Sequence, residues 1–274
     1  MIFNSARTIY NVKLQTCKLL DLEYTPLINT TINESLNIYP NYVFKDKVLP
    51  KLNIATFGNG GSNIIDNNVL DLKRSKHGAL DGILFNILPL MVKPYGTVLE
   101  EDEQNIYRLK TVESINNNTY DVYYGMVINN IDYDPRLYKI SSNEISYNSE
   151  IIDTATNNDI LKPIPKINTL DVDDNYNYII NTCKIGILLD SAFMNNFVEA
   201  IAIKYPDEII DTITEIGLCS SVDVDIDDKK EAIWTQVNYF VDLSLDIQLV
   251  DSRIKADGTV SLNLDIGGME PLVI

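Results

Sequence analysis

The sequence predicts an α+β fold, mainly antiparallel β with a few helices, on three observations. From Val241 to Leu249, Val241, Leu243, Leu245, Ile247 and Leu249 alternate with Asp242, Ser244, Asp246 and Gln248. From Val260 to Ile266, Val260, Leu262, Leu264 and Ile266 alternate with Ser261, Asn263 and Asp265. A period of two over this length describes strands with one dry face and one wet face. The polar connection around Asp257-Gly258 predicts that the two are antiparallel neighbours in a terminal hairpin. Third, strands and helices do not alternate in the regular way that builds a parallel sheet.

The earlier elements follow from local signals. Asn4 to Leu22 carries Ile9, Val12 and Leu20 on one helical face, with Asn4 or Ser5 as cap. Tyr24 to Pro40 is rich in Thr, Asn and Pro and reads as loop. Lys51 to Phe57 alternates as a strand and ends in Gly58-Asn59-Gly60-Gly61-Ser62-Asn63, a sharp turn. Asp66 to Lys76 reads as a short polar helix, and Ile83 to Met91 as a buried segment that Pro89 and Pro94 interrupt. Ile106–Ile115 and Tyr120–Ile128 flank Asn116-Asn117-Asn118-Thr119, good hairpin chemistry because Asn tolerates the left-handed region. Asn129 to Asp174 reads as irregular. Tyr178 to Leu189 is a strand. Ser191 to Tyr205 is a helix with Phe193, Phe197, Ile201 and Tyr205 at i+4 spacing, capped by Asp190 or Ser191 and stopped by Pro206. Ile213 to Leu218 is strand-like, Asp223 to Asp228 an acidic loop, and Ala232 to Phe240 an amphipathic helix or strand. The expected organisation is an N-terminal α+β region (1–130), an irregular linker or arm (131–175) and a C-terminal α+β domain (176–274).

The chain of 274 residues carries a net charge of −17, which argues against wrapping nucleic acid or binding acidic membranes. It suits solubility or docking onto a basic neighbour. No apolar run approaches the ~20 residues of a membrane span, and the N-terminus lacks the pattern of a signal peptide. Cys17, Cys183 and Cys219, odd in number and far apart, fit buried thiols in a reducing compartment. A single histidine, His77, excludes a His-rich metal site. The bias towards Asn and Ile fits an AT-rich genome, as in many bacteriophages and bacteria.

No motif completes a catalytic signature. Gly58-Asn59-Gly60-Gly61 lacks the Lys of a phosphate loop and the third Gly of a dinucleotide turn, so it reads as a structural turn. Asp223, Asp225 and Asp227 resemble a calcium loop, as do Asp171, Asp173 and Asn175, but the sixth and twelfth positions fail in both. The alternation of Val222-Asp223-Val224-Asp225-Ile226-Asp227 also suits a strand with a wet acidic face. His77 lies near Asp81 without a serine or cysteine nucleophile placed by sequence. Glu100-Glu101-Asp102-Glu103 reads as a solvated turn. No catalytic residue, cofactor, metal ligand set or small-molecule substrate is expected. Trp234 is a candidate interface anchor or core residue, and the apolar Leu272, Val273 and Ile274 suit docking into a neighbour.

Two stretches, Ile54-Ala55-Thr56-Phe57-Gly58-Asn59-Gly60-Gly61 and Ile213-Thr214-Glu215-Ile216-Gly217-Leu218, together resemble segments of tailed-phage tail-fibre and baseplate-attachment proteins. In those a strand enters a Gly-rich turn, and a later strand carries a buried glutamate–glycine corner. The resemblance implies a structural virion component of tail, baseplate or neck, whose partners are other virion proteins and copies of itself. The alternative is a cytosolic binding protein or metal-assisted hydrolase using Asp223, Asp225 and Asp227.

Overall fold

The computed structural model describes residues 3–44, 48–61, 75–128, 130–143, 146–151, 177–210, 212–226, 229–248 and 260–271. In chain order these form β1 (Phe3–Arg7), α1 (Ile9–Leu19), α2 (Ile32–Ser35), β2 (Lys51–Gly58), β3 (Met91–Pro94), α3 (Glu101–Ile106), β4 (Tyr107–Ile115) and β5 (Asn118–Val127). They continue as β6 (Asn130–Asn143), β7 (Ser146–Ile151), β8 (Asn177–Leu189), α4 (Ser191–Lys204), β9 (Thr212–Ile226), β10 (Lys229–Gln248) and β11 (Val260–Pro271). The fold is α+β and mainly antiparallel β, as the alternation predicts.

The chain separates into two units: Met1–Ile128 with Leu189–Val260, and Asn129–Leu188 with Ser261–Ile274. The first holds a seven-stranded sheet in the order β1-β10-β9-β2-β5-β3, with β4 along the other edge of β5. The second holds a four-stranded sheet in the order β11-β8-β6-β7.

Several expectations change here. The two C-terminal strands exist, but they are not a hairpin: β10 lies between β1 and β9, while β11 lies beside β8 in the other sheet. Alternation fixes a strand's faces but not its partner, and non-local pairing decided both. The domain boundaries also run differently. Residues 131–143 and 146–151 of the expected arm lie in paired strands. The expected C-terminal domain is divided, because β9 and β10 pair with β2 and β1 from the start of the chain. Asn4 to Leu22 is two elements: β1 joins the edge of β10, and α1 starts after Thr8, whose hydroxyl accepts from Asn11 N–H. Residues 232–240 are strand throughout. The predicted helix at 66–76 falls almost wholly outside the described residues, as do Asp171, Asp173, Asn175 and Leu272, Val273 and Ile274.

Other elements match closely. In the β4–β5 turn, Asn116 and Asn117 have φ of 49° and 66°, the paired left-handed conformation of a tight hairpin. In α4, Asp190 accepts from Phe193 N–H at 2.7 Å, and Phe193, Phe197 and Ile201 face the core. Phe193 and Phe197 pack on Phe57 at 6.2 and 6.1 Å between ring centroids. The central strand β9 is buried without interruption from Ile213 to Val222, so both its faces are covered. Trp234 belongs to the core: it is 4% exposed and packs edge-on against Tyr24 and Phe44. Of the two readings, core residue and interface anchor, the aromatic packing inside the first unit matches the core one.

Candidate functional site

Strand register alone creates an electrostatic problem at one point of the main sheet. Glu215 on β9 stands directly opposite Asp242 on β10. Like charges directly opposite across two strands repel. Glu215 is also 1% exposed, within the uninterrupted buried run Ile213–Val222.

His77 resolves the conflict. Its Nδ1 lies 2.6 Å from Asp242 Oδ1, and its backbone N–H donates to Asp242 Oδ2 at 3.1 Å. Its Nε2 lies 3.1 Å from Glu215 Oε2, an ion-pair contact set off the line of a hydrogen bond. The imidazole has no exposed surface. Phe240 precedes Asp242 by two residues, so it shares that face of β10 and stacks on the imidazole at 4.0 Å and 3°. Phe85 covers the opposite ring face at 4.1 Å. Burial by itself pulls the imidazolium pKa down. The Asp242 hydrogen bond, then Glu215, outweigh it and raise His77 to about 9. His77 is therefore a buried cation at neutral pH.

Glu215 is bound on its other side by backbone. Gly60 N–H and Asn86 N–H donate to Oε1 at 2.9 and 3.0 Å, and Phe85 N–H donates to Oε2 at 3.0 Å. One carboxylate thus gathers the turn after β2, the 84–87 segment and His77 onto β9. Such close approach requires glycine in the turn. A Cβ on Gly60 would lie 2.3 Å from Phe85 Cβ and 2.7 Å from Asn86 N. A Cβ on Gly58 would lie 2.4 Å from Glu215 Oε1. Gly60→Ala is expected to cost about 2–3 kcal/mol through forced overpacking against backbone, read as a lowered urea midpoint. A midpoint within error of the wild type would show that the turn relaxes freely.

The two stretches singled out in sequence therefore meet. β2 and β9 are antiparallel neighbours, with Gly58 opposite Glu215 and Phe57 opposite Ile216. Across this pair the Gly60 N–H donates to the buried Glu215 carboxylate. Sequence reasoning paired His77 with Asp81 instead. Asp81 accepts from Gly78 N–H at 2.7 Å and serves its own turn. The signal that could have exposed the site is Glu215 itself, an acid on a buried strand one step from Ile216. Its partners, 138 and 27 residues away along the chain in opposite directions, carry no local mark.

Chemically, this arrangement holds a charge rather than using one. Both ring nitrogens of His77 face carboxylates and both ring faces are covered, so a general base has neither a free lone pair nor a substrate face here. Cys219 is buried, and burial pushes its thiol up to about 12, which leaves it protonated and unreactive. Two other polar clusters are similarly committed. Lys204 Nζ donates to Glu113 Oε2 at 2.6 Å and contacts Tyr124 OH, which itself donates to Glu113 Oε1 at 2.6 Å. Asp223 lies 3.6 Å from Arg108 Nε and also accepts from Ser221 and Asn53. Asp225 is exposed on β9, and Asp227 and Asp228 lie outside the described residues. Among the described residues no group of three or more His, Cys, Asp or Glu is placed to hold a metal ion, and no helix is long and apolar enough to cross a membrane.

The model of a family of unknown function, DUF7208, matches residues 3–274, so the chain belongs to that family. No curated protein and no solved structure matches it.

Proposed function

We propose that this member of DUF7208 is a non-enzymatic structural subunit of a tailed-phage particle, in the tail, baseplate or neck, that works through contacts with copies of itself and with other virion proteins. The observation that carries the reading is the Glu215–His77–Asp242 clasp. It ties His77, Glu215 and Asp242, which are far apart in the chain, to the backbone of Gly60, Phe85 and Asn86. Its effect is to lock a Gly-rich turn and a loop onto the central strand, which suits a subunit that must hold its shape against neighbours. Two members of the clasp, Glu215 and the Gly60 N–H, come from the two stretches that resemble phage attachment proteins. The net charge of −17 adds that a partner is expected to be basic where it touches this chain.

Two measurements test the proposal together. Mass photometry of the purified chain, alone and after mixing with its particle proteins, is expected to show a closed oligomer or a stable hetero-assembly. Peptide mass spectrometry of purified particles from producing cells is expected to find the chain at a fixed copy number. A chain that stays monomeric in every mixture and is missing from particles would sink the reading. A melt shift of several degrees on adding calcium or manganese, abolished by Asp225→Asn, would instead favour an ion-binding role for the acidic stretch.

A further inference from the structure

We propose that the outer half of β9, Val222–Ile226, takes an extended segment of another protein as an added strand, and that this segment alternates apolar with basic residues. The inference stands on the groove and strand edge described below and does not depend on the particle reading.

The first observation is a strand with one edge open. On one side β10 pairs along this whole half of β9, with Trp234 opposite Val222 and Lys229 opposite Ile226. On the other side β2 pairs with β9 only as far as Ser221, opposite Lys51. The residue before Lys51 is Pro50, which has no N–H to carry the ladder further. Among the described residues no strand pairs with that edge beyond Ser221. An unpaired row of N–H and C=O groups is a template for another chain.

The second observation is an apolar groove of about 660 Å³ beside the same residues. Tyr39, Tyr42, Val48, Val224, Ile226 and Ile233 line it. Val224 and Ile226 are only half-buried, and Val43 nearby is 79% exposed. Successive side chains of an added strand point to opposite faces, so one set would enter the groove while the other would lie on the face of Asp223 and Asp225. A helix could fill the groove but would leave the strand edge unpaired.

Charge then selects the occupant. Asp223 already leans on Arg108. Asp225 is exposed, and Lys230 stands opposite it on the β10 side only. On the open side its neighbour is expected to be a cation. A second copy of this chain fits poorly: antiparallel self-pairing about Val224 sets Asp223 of one copy against Asp225 of the other, within a chain of net charge −17.

The test uses the full chain and two labelled capped peptides, Thr-Val-Lys-Val-Lys-Val-Thr and Thr-Val-Glu-Val-Glu-Val-Thr, in fluorescence anisotropy with hydrogen exchange on the protein. The lysine peptide is expected to bind about tenfold tighter than the glutamate peptide, since two cross-strand charge positions change sign. Its binding is expected to slow amide exchange at Val222–Ile226 and to weaken with added salt. Asp225→Lys, a substitution at an exposed site, should erase the preference while the variant keeps a cooperative thermal melt. Tyr42→Ala should weaken the lysine peptide by removing a groove wall. Absence of binding by both peptides, equal affinities, or protection confined to other strands would overturn the proposal. So would a concentration-dependent dimer that protects Val222–Ile226, because the edge would then belong to a second copy.

Discussion

Glu215→Ala is expected to lower the unfolding free energy by about 4 kcal/mol, the cost of removing one partner from a buried charge pair. The loss has three parts that act together. The His77 cation keeps Asp242 but loses its second counter-charge. Three backbone donors, on Gly60, Phe85 and Asn86, are left without their acceptor. A cavity then remains between β9 and the turn after β2. Glu215→Gln separates these parts. It keeps the volume and one acceptor but removes the charge and points an amide donor at backbone donors, so about half of the loss should remain. In a double-mutant cycle with His77→Gln, a coupling of about 1–3 kcal/mol is expected, because both residues belong to one network. Urea denaturation followed by tryptophan fluorescence reads all of this, since Trp234 lies on β10 in the same unit. A loss under about 1 kcal/mol for Glu215→Ala would mean that the clasp is incidental to the fold.

What the sequence disclosed and what it hid divide along one physical line. Features fixed by neighbours in the chain were readable: the Asn116–Asn117 turn, the Asp190 cap, the aromatic stripe of α4, and β2 running into its glycines. Features fixed by pairing across long separations were not. The alternation of Val241–Leu249 and of Val260–Ile266 is real, yet the two stretches pair in different sheets, because a strand's own pattern is silent about its neighbour. The same holds for the site. His77, Glu215 and Asp242 each look ordinary in isolation. Only the register that sets Glu215 opposite Asp242 turns them into an electrostatic unit. Trp234 beside Ile233 and Val237 reads as core or as interface anchor, and only the packing on Tyr24 and Phe44 decides for the core.

The protein is expected to lose stability as pH rises from 6.5 to 9, opposite to the usual gain of carboxylate-rich chains as pH rises from the acid side. His77 in the folded state binds its proton more tightly than in the unfolded chain, with a pKa of about 9 against an ordinary 6.5. The raised value means that protonation favours the folded state. The contribution is therefore complete below pH 6.5 and disappears as pH climbs through 9. That difference corresponds to about 3 kcal/mol, an order-of-magnitude figure for a fully enclosed side chain. Above pH 9 the neutral imidazole would leave Glu215 facing Asp242 without a cation between them, so the repulsion set by register returns. Because the chain has one histidine, its imidazole resonances in a two-dimensional NMR titration belong to His77 alone. A midpoint near 9 is expected, with urea stability at pH 9.5 about 3 kcal/mol below that at pH 6, and with His77→Gln flattening that slope. A midpoint at or below 6.5 would show that burial wins over the two carboxylates, and His77 would then be a neutral hydrogen-bonding group rather than the cation that holds β9 and β10 together at this point.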